Sequence, residues 1–201
     1  MNLSSHFPMP NGKIYFDSAA SSITAMPVLE KMQEFYTTYR ANIHRGEHSL
    51  TKKASEEYEL VYEKLAKFFH ADSQEFINLR NATEAINGVS LGLDWQPDDE
   101  VIITDAEHHS NLLPWLRLKE KGVKLKVLEI DINGIINEEN LKTLISKKTK
   151  LVAFTASSNV VAAKVPVMSL TKIAKDNGSL VLVDAAQYVG HQPIDLKNTP
   201  V

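Results

Sequence analysis

Residues 180–187 read Leu-Val-Leu-Val-Asp-Ala-Ala-Gln, and they decide the fold class of this 201-residue chain. Four consecutive aliphatic residues, 180–183, predict a strand that is covered on both faces, as in a parallel sheet flanked by helices. The polar residue Asp184 follows directly, and ligands bind at the carboxyl ends of strands in such sheets. The segment therefore predicts both an α/β fold and a candidate ligand site.

The chain before this segment alternates short apolar runs with amphipathic stretches, which predicts a mostly parallel sheet with helices on both faces. Two helices, at residues 26–40 and 50–70, are expected to precede the sheet. We expect two regions: residues 1–50, with the first helix and a polar loop, and residues 51–201, a partial α/β domain. The predicted strands are 76–79, 101–104, 124–130, 150–155 and 180–183, and the later helices are 84–93, 111–121, 138–146 and 167–177.

Composition limits the classes of function that the chain can have. Its net charge of −3 argues against a nucleic-acid or anionic-membrane surface, because both need a basic field. No apolar run approaches the roughly 20 residues needed to span a bilayer, and the N-terminus does not resemble a signal peptide, so we expect a cytoplasmic protein. Cysteine is absent, which excludes a disulfide, a thiolate metal site and a cysteine nucleophile on this chain.

The first candidate site is the polar segment Asn81-Ala82-Thr83 before the helix at 84–93. A hydroxyl and free backbone N–H groups at a helix start can bind an anion such as phosphate. Alternatively, Thr83 caps the helix and binds nothing. No G-x-G-x-x-G or Walker motif is present, so a dinucleotide or nucleoside triphosphate site has no support.

The second candidate site contains the adjacent histidines His108 and His109. Successive residues of an extended chain point in opposite directions, so the two imidazoles are poorly placed to share a metal ion, and we predict no metal site. One flat imidazole could instead stack on an aromatic ligand. A surface loop with incidental histidines is the third interpretation.

Two further groups of polar residues are candidates. Asp184 follows a buried strand and needs a partner, which could be a pyridinium N–H, while Gln187 could contact a ring hydroxyl. Capping of a following helix is the alternative for Asp184. His44 and Arg45 lie in a polar loop that either meets an acidic substrate or is simply solvated.

Taken together and in this order, the motifs of the chain resemble those of the SUF-type (group II) cysteine desulfurase and selenocysteine lyase family, in the class V aminotransferase group of fold-type I pyridoxal-phosphate (PLP) enzymes. The most specific match is EHHSNLLPW, which is nearly the family's E-H-H-S-N-x-x-P-W. The matching segments are YFDSAAS at 15–21, NIHRGEHSL at 42–50, RNATEAIN at 80–87, EHHSNLLPW at 107–115, SNV at 158–160 and DAAQ at 184–187.

The resemblance implies a PLP cofactor, L-cysteine or L-selenocysteine as substrate, and roles for individual residues. Ala82 and Thr83 would hold the phosphate, His108 would stack on the pyridine ring, and Asp184 would pair with its nitrogen. The remaining roles fall to Gln187 at the phenolic oxygen, Asn159 and Arg45 at the substrate, and His44 near the entrance of the site.

The resemblance also exposes differences and missing parts. Six positions of this chain differ from the family's motifs, and each change puts efficient turnover in doubt. They are Asn81 and Ala82 in the family's R-G-T-T, Ala156 in H-V-S-N, Ala162 and Ala163 at G-T, and Ala185 in D-G-A-Q. The family's Schiff-base lysine, in S-G-H-K, and its persulfide cysteine come later than residue 201. In the family, two further strands lie between the strands at 76–79 and 180–183, so the latter becomes an exposed edge without them.

Three interpretations remain open at this stage. The chain is half of a split cysteine desulfurase for sulfur mobilisation in iron–sulfur cluster assembly, completed by a C-terminal chain or dimer partner and a sulfur acceptor protein. Alternatively, it is a catalytically dead binding or regulatory module that pairs with an intact paralogue, or it is a truncated product of a longer protein.

Overall fold

The computed structural model describes residues 4–9, 13–161, 163 and 165–199. The chain divides into two compact units, Met1–Phe76 and Ile77–Val201. The predicted division at residues 50 and 51 separates an active-site loop from a cofactor-binding domain, and it stays a prediction. Ala162, one of the positions that differ from the family, lies outside the described residues.

The first unit contains the two predicted helices. Helix α1 spans Met26–Glu34 and continues as a π-helical segment over Phe35–Tyr39. Helix α2 spans Ser49–Phe69 and begins after His48, whose Nδ1 accepts a hydrogen bond from the Thr51 N–H at 3.3 Å. Not all of the apolar positions that predict α2 are buried, since Phe68 is 62% exposed.

The second unit is built on a parallel sheet whose four described strands run in the order β2-β1-β3-β4. In chain order these are β1 (Glu100–Thr104), β2 (Lys124–Leu128), β3 (Thr149–Thr155) and β4 (Leu180–Asp184). Every described pairing between them is parallel, with Thr155 of β3 opposite Asp184 of β4. Because parallel strands end at the same edge, the polar residues that follow β1, β3 and β4 share one edge of the sheet.

Helices cover both faces of this sheet, as the sequence predicts. These are α3 (Ala82–Gly92), α4 (Leu113–Arg117), α5 (Glu138–Leu144) and α6 (Val167–Asp176). One core cluster packs Ile86 of α3 and Trp115 of α4 against alternate residues of β1 and β3. The opposite cluster packs Leu141 of α5 and Leu170 of α6 against the other face. Alternation of side chains along each strand separates the two cores.

Two sequence predictions of secondary structure are wrong. Residues 76–79 are not a strand, and Ile77 there is 82% exposed. An extended segment counts as a strand only if its N–H and C=O groups pair with a neighbour, and none of the described strands pairs with it. The helix predicted at 111–121 is split into a 3₁₀ turn at His109–Asn111, α4, and a second 3₁₀ turn at Leu118–Lys121.

Gly122 ends this broken helical segment, as the sequence predicts. Its φ of 80° is in the left-handed region that favours glycine, and a Cβ there would lie 3.3 Å from the Cα of Pro97. Within the described part of the chain, no helix combines the length and the apolar character needed to cross a membrane.

Strand β4 is the last strand at one side of the described sheet, which confirms the expectation of an edge at residues 180–183. Its aliphatic residues are only partly buried, and Leu180 is 45% exposed. An edge strand of this composition offers unpaired backbone groups and apolar side chains to another strand.

Glu100 joins three segments at the amino ends of the strands. One of its oxygens accepts hydrogen bonds from Lys126 Nζ at 2.7 Å, Ser146 Oγ at 2.6 Å and Thr149 Oγ1 at 3.0 Å. Burial opposes its ionisation, but these donors outweigh burial and lower the pKa of the carboxyl group.

Replacing Glu100 with alanine is expected to lower the free energy of unfolding by about 2–3 kcal/mol at neutral pH, because three donors lose their acceptor. The folded pKa of Glu100 is lowered, so its contribution is complete above the ordinary carboxyl pKa and is lost as the pH falls through the lowered value. Urea unfolding at several pH values measures this difference. A difference that does not shrink in acid would contradict the role of the ionised carboxylate.

Candidate active site at the carboxyl edge of the sheet

Asp184 lies at the end of β4 and is buried, with a relative exposure of 8%. Asp184 follows Leu182 by two residues, so the two side chains point to the same face of the sheet. On that face, Leu182 packs against the core cluster that contains Trp115. Asp184 Oδ1 accepts a hydrogen bond from the Ala186 N–H at 3.0 Å, while Oδ2 accepts none from the described residues. A buried carboxylate that has one oxygen without a donor among the described residues suits a cationic or N–H-bearing ligand.

The loop after β1 brings Glu107 to the same edge. Its Oε1 accepts hydrogen bonds from the Thr104 hydroxyl and from the backbone N–H of Thr155 at 2.9 Å. Its Oε2 accepts one from Asn111 Nδ2 at 2.5 Å. Burial raises the pKa of the Glu107 carboxyl group, the hydrogen bonds offset part of this rise, and the negative charge of Asp184 adds to it. The two carboxylates are therefore close enough to interact.

His108 is exposed at the start of the 3₁₀ turn His109–Asn111, which packs against α3. Its Nδ1 lies 2.7 Å from Ser110 Oγ and accepts a hydrogen bond from the Ser110 N–H at 3.2 Å. These contacts fix one edge of the imidazole and leave the ring available to a flat ligand. The rings of His108 and His109 are 5.9 Å apart and inclined by 47°, and within the described residues no histidine and carboxylate group is arranged to hold a metal ion.

Thr83 lies in the first turn of α3 and is exposed. The alternative interpretation of Thr83 as the helix cap is wrong, because Asn81 is the cap, with its Oδ1 accepting the Glu84 N–H at 2.9 Å. Asn81 has a φ of −170°, an extended conformation that any residue adopts, so asparagine replaces the family's glycine there without backbone strain. The Thr83 hydroxyl and the first N–H groups of the helix, beginning at Ala82, remain suited to an anion.

The other predicted site residues follow β3 and β4. Asn159 is exposed, beyond Ser158, whose Oγ donates a hydrogen bond to the Ala106 carbonyl at 3.1 Å and so joins the loops after β3 and β1. Gln187 is half-buried and already has an interaction partner. Both lie beyond the carboxyl ends of strands that border the Asp184 site.

His44 and Arg45 belong to the first compact unit. His44 has a φ of 59°, its Nε2 lies 3.0 Å from Glu59 Oε1, and its N–H donates to Ser55 Oγ at 2.9 Å. Arg45 is exposed. Their roles near the entrance and at the substrate stay predictions.

Sequence reasoning missed the part played by Glu107, Asn111 and Trp115. All three are in the segment EHHSNLLPW, where attention falls on the histidines. Asn111 and Trp115 have no exposed surface, and the Trp115 indole N–H donates to Asn111 Oδ1 at 2.9 Å. The available signal was their spacing of four residues, which places side chains on one side of a helical turn.

The fold and this edge define a class of α/β protein with polar and acidic side chains gathered at the carboxyl ends of parallel strands. The chain belongs to the class-V aminotransferase family, whose family model matches residues 14–201.

Within that family, the chain is similar to cysteine desulfurases. It is 42% identical over 193 residues to the "probable cysteine desulfurase" of Pyrococcus abyssi, covering 94% of this chain and 48% of that protein. The apo structure of the cysteine desulfurase from Thermococcus onnurineus NA1 matches with a TM-score of 0.91 and 39% identity, over 98% of this chain and 50% of that one. The chain spans about half the length of the curated relatives it matches, and it corresponds to their N-terminal portion.

A more distant structure shows the same fold with the cofactor attached. It is a C-DES mutant with glycine covalently linked to PLP, and it matches with a TM-score of 0.86 and 22% identity over 98% of this chain and 53% of that one. At this identity the likeness concerns the fold alone.

The residues of this chain fit PLP on their own chemistry. Asp184 is a buried carboxylate with an oxygen available to a pyridinium N–H, and the start of α3 offers a hydroxyl and backbone N–H groups to a phosphate. Helix α3 packs against the His109–Asn111 turn, beside His108, and Ile86 of α3 is in the core cluster on the face that Asp184 shares.

Proposed function

We propose that this chain is the N-terminal half of a PLP-dependent cysteine desulfurase of the SUF-type group. Such an enzyme removes sulfur from L-cysteine, leaving alanine and a persulfide for iron–sulfur cluster assembly, and L-selenocysteine is an alternative substrate. The observation that carries the proposal is Asp184, a buried carboxylate at the end of β4 with no cation among the described residues to pair with it.

PLP, when bound, supplies an electron sink for bond cleavage at the amino-acid substrate. Asp184 holds the ring nitrogen in its protonated form, since the negative charge favours the N–H cation. Ala82 and Thr83 would bind its phosphate, and His108 would stack on its ring. Gln187 would contact its phenolic oxygen.

Asn159 of the second unit is the proposed substrate contact, and His44 and Arg45 of the first unit keep their predicted roles. A carboxylate substrate suits an amide donor and a guanidinium group, which bind its oxygens directly. We also propose dimer formation, as the resemblance to the family implies.

The remaining chemistry requires residues outside this sequence. The chain has no cysteine to accept sulfur, and its lysines do not occur in the family's S-G-H-K context. We infer that a C-terminal polypeptide provides the lysine that anchors the cofactor, the thiol, and the strands that pair with the edge of β4.

Reconstitution tests this proposal. The chain is co-expressed with the C-terminal portion of the desulfurase, and PLP and L-cysteine are added. We expect a visible absorbance band from bound PLP and stoichiometric alanine from the complex, and neither from either half alone. A complex that forms but stays colourless and inactive would favour the dead binding module, and the absence of any complex would contradict the split enzyme.

A further inference from the structure

Glu107 connects three segments at the carboxyl edge of the sheet. It accepts hydrogen bonds from Thr104 at the end of β1, from Asn111 in the turn that follows His108, and from the backbone of Thr155 at the end of β3. The resemblance assigns a role to His108 in the same motif, and the proposed function gives Glu107 none.

The donors around Glu107 determine which form of the side chain fits. The Trp115 indole N–H can only donate, so it fixes the Asn111 amide with its oxygen toward Trp115. Asn111 Nδ2 must then donate to Glu107 Oε2. The Thr155 N–H is likewise only a donor, and it occupies Oε1. Both oxygens of Glu107 therefore act as acceptors, a pattern that a carboxyl group offers and a glutamine amide does not.

We propose that Glu107 is a positioning residue with two roles. Its hydrogen bonds hold the turn that carries His108 against the end of β3, an arrangement that we call the clamp. Its negative charge, beside that of Asp184, favours a protonated pyridine ring of PLP. The clamp depends only on contacts within this chain. The electrostatic part rests on the proposed function, because it requires PLP at Asp184.

Few charged groups can alter this arrangement. The ionisable group that acts on Glu107 from a neighbouring strand is Asp184, and Asp105, His108 and His109 flank it on its own loop. Within the described residues, no lysine or arginine pairs with Glu107 or Asp184. Burial raises the pKa of Glu107, so the charge that it adds appears only as the pH rises through this raised value.

A carboxylate swap tests the clamp without any cofactor. In Glu107→Gln, the new Nε2 donor faces the Asn111 Nδ2 donor, and one hydrogen bond is lost. In Asn111→Asp, two carboxylates face each other. The double variant restores every bond, since the new amide at position 107 donates to one oxygen of the new carboxylate at position 111, and the Trp115 indole donates to the other.

We expect each single variant to lower the folding equilibrium constant about tenfold to a hundredfold, and the double variant to return within about threefold of the wild type. Urea unfolding followed by tryptophan fluorescence measures this, because both tryptophans, Trp95 and Trp115, lie in the second unit. Additive losses in the double variant would overturn the clamp.

The pH dependence of unfolding provides a second measurement. Because the pKa of Glu107 is raised in the folded state, the folded protein keeps this proton to a higher pH than the unfolded protein does. The free energy of unfolding of the wild type, relative to that of Glu107→Gln, should therefore fall as the pH rises from the ordinary carboxyl pKa through the raised one. Glu120→Gln is the matched control, because Glu120 is exposed and the same change removes one charge. A Glu107→Gln profile parallel to that of the wild type would contradict a buried ionisable carboxylate.

PLP titration tests the electrostatic part. Wild-type affinity should rise with pH as Glu107 ionises, and Glu107→Gln should lack this rise and bind about tenfold more weakly at high pH. Identical pH profiles for Glu107→Gln and Glu120→Gln would overturn the electrostatic role. If the wild type binds no PLP under any condition, the proposed function fails. The unfolding measurements on the carboxylate-swap variants then still test the clamp, because they need no cofactor.

Discussion

Replacing Asp184 with asparagine is expected to weaken PLP binding by about tenfold to a hundredfold, the loss that follows when a charged hydrogen-bond partner becomes neutral. Asparagine keeps an oxygen that can accept the Ala186 N–H, which lies 3.0 Å from Oδ1 in the wild type. The fold should therefore be preserved while the negative charge is lost. Titration of PLP into the reconstituted complex, followed by absorbance and by quenching of tryptophan fluorescence, measures the change.

Asp176→Asn is the matched control for this experiment. Asp176 ends α6, its side chain is 64% exposed, and it pairs with Lys172 at 2.7 Å across one helical turn. A surface pair of this kind contributes little, so PLP affinity should not change. Equal affinities of Asp184→Asn and the wild type would mean that the ring nitrogen does not lie at Asp184.

Replacing Trp115 with alanine is expected to lower the free energy of unfolding of the second unit by about 3–5 kcal/mol. Trp115 is fully buried, and its ring lies 6.3 Å from that of Trp95 within the core between the sheet and helices α3 and α4. The substitution leaves a large cavity and also removes the N–H that orients Asn111. Loss of that orientation should loosen Glu107, and with it the turn that carries His108.

Trp115→Phe separates the two effects. Phenylalanine keeps most of the packing but cannot donate to Asn111, so about 1–3 kcal/mol should be lost through the unsatisfied amide. Leu91→Ala is the surface control, because Leu91 is 75% exposed on α3 and its truncation should change stability by no more than about 0.5 kcal/mol. Denaturant unfolding measures all three variants, and similar losses for Trp115→Ala and Leu91→Ala would contradict the assignment of the core.

Local patterns were sufficient for most of the helices and strands. Helix α3 begins within two residues of its predicted start, and β4 includes the aliphatic run 180–183. The prediction failed at residues 76–79, because an apolar extended segment has the same sequence pattern whether or not a neighbouring strand is there to pair with it. The capping interpretation of Thr83 failed because Asn81 and Thr83 are both good capping residues, and only the backbone conformation distinguishes them.

By itself, the sequence determined the α/β class of this chain, the order of its elements and its resemblance to the cysteine desulfurases. These follow from the periodicity of apolar residues and from short motifs, both of which are local along the chain. Only the tertiary structure decided that Glu107 reaches Thr155 and lies near Asp184. Those relations join residues 48 or more positions apart, and they arise because parallel strands bring distant segments to one edge.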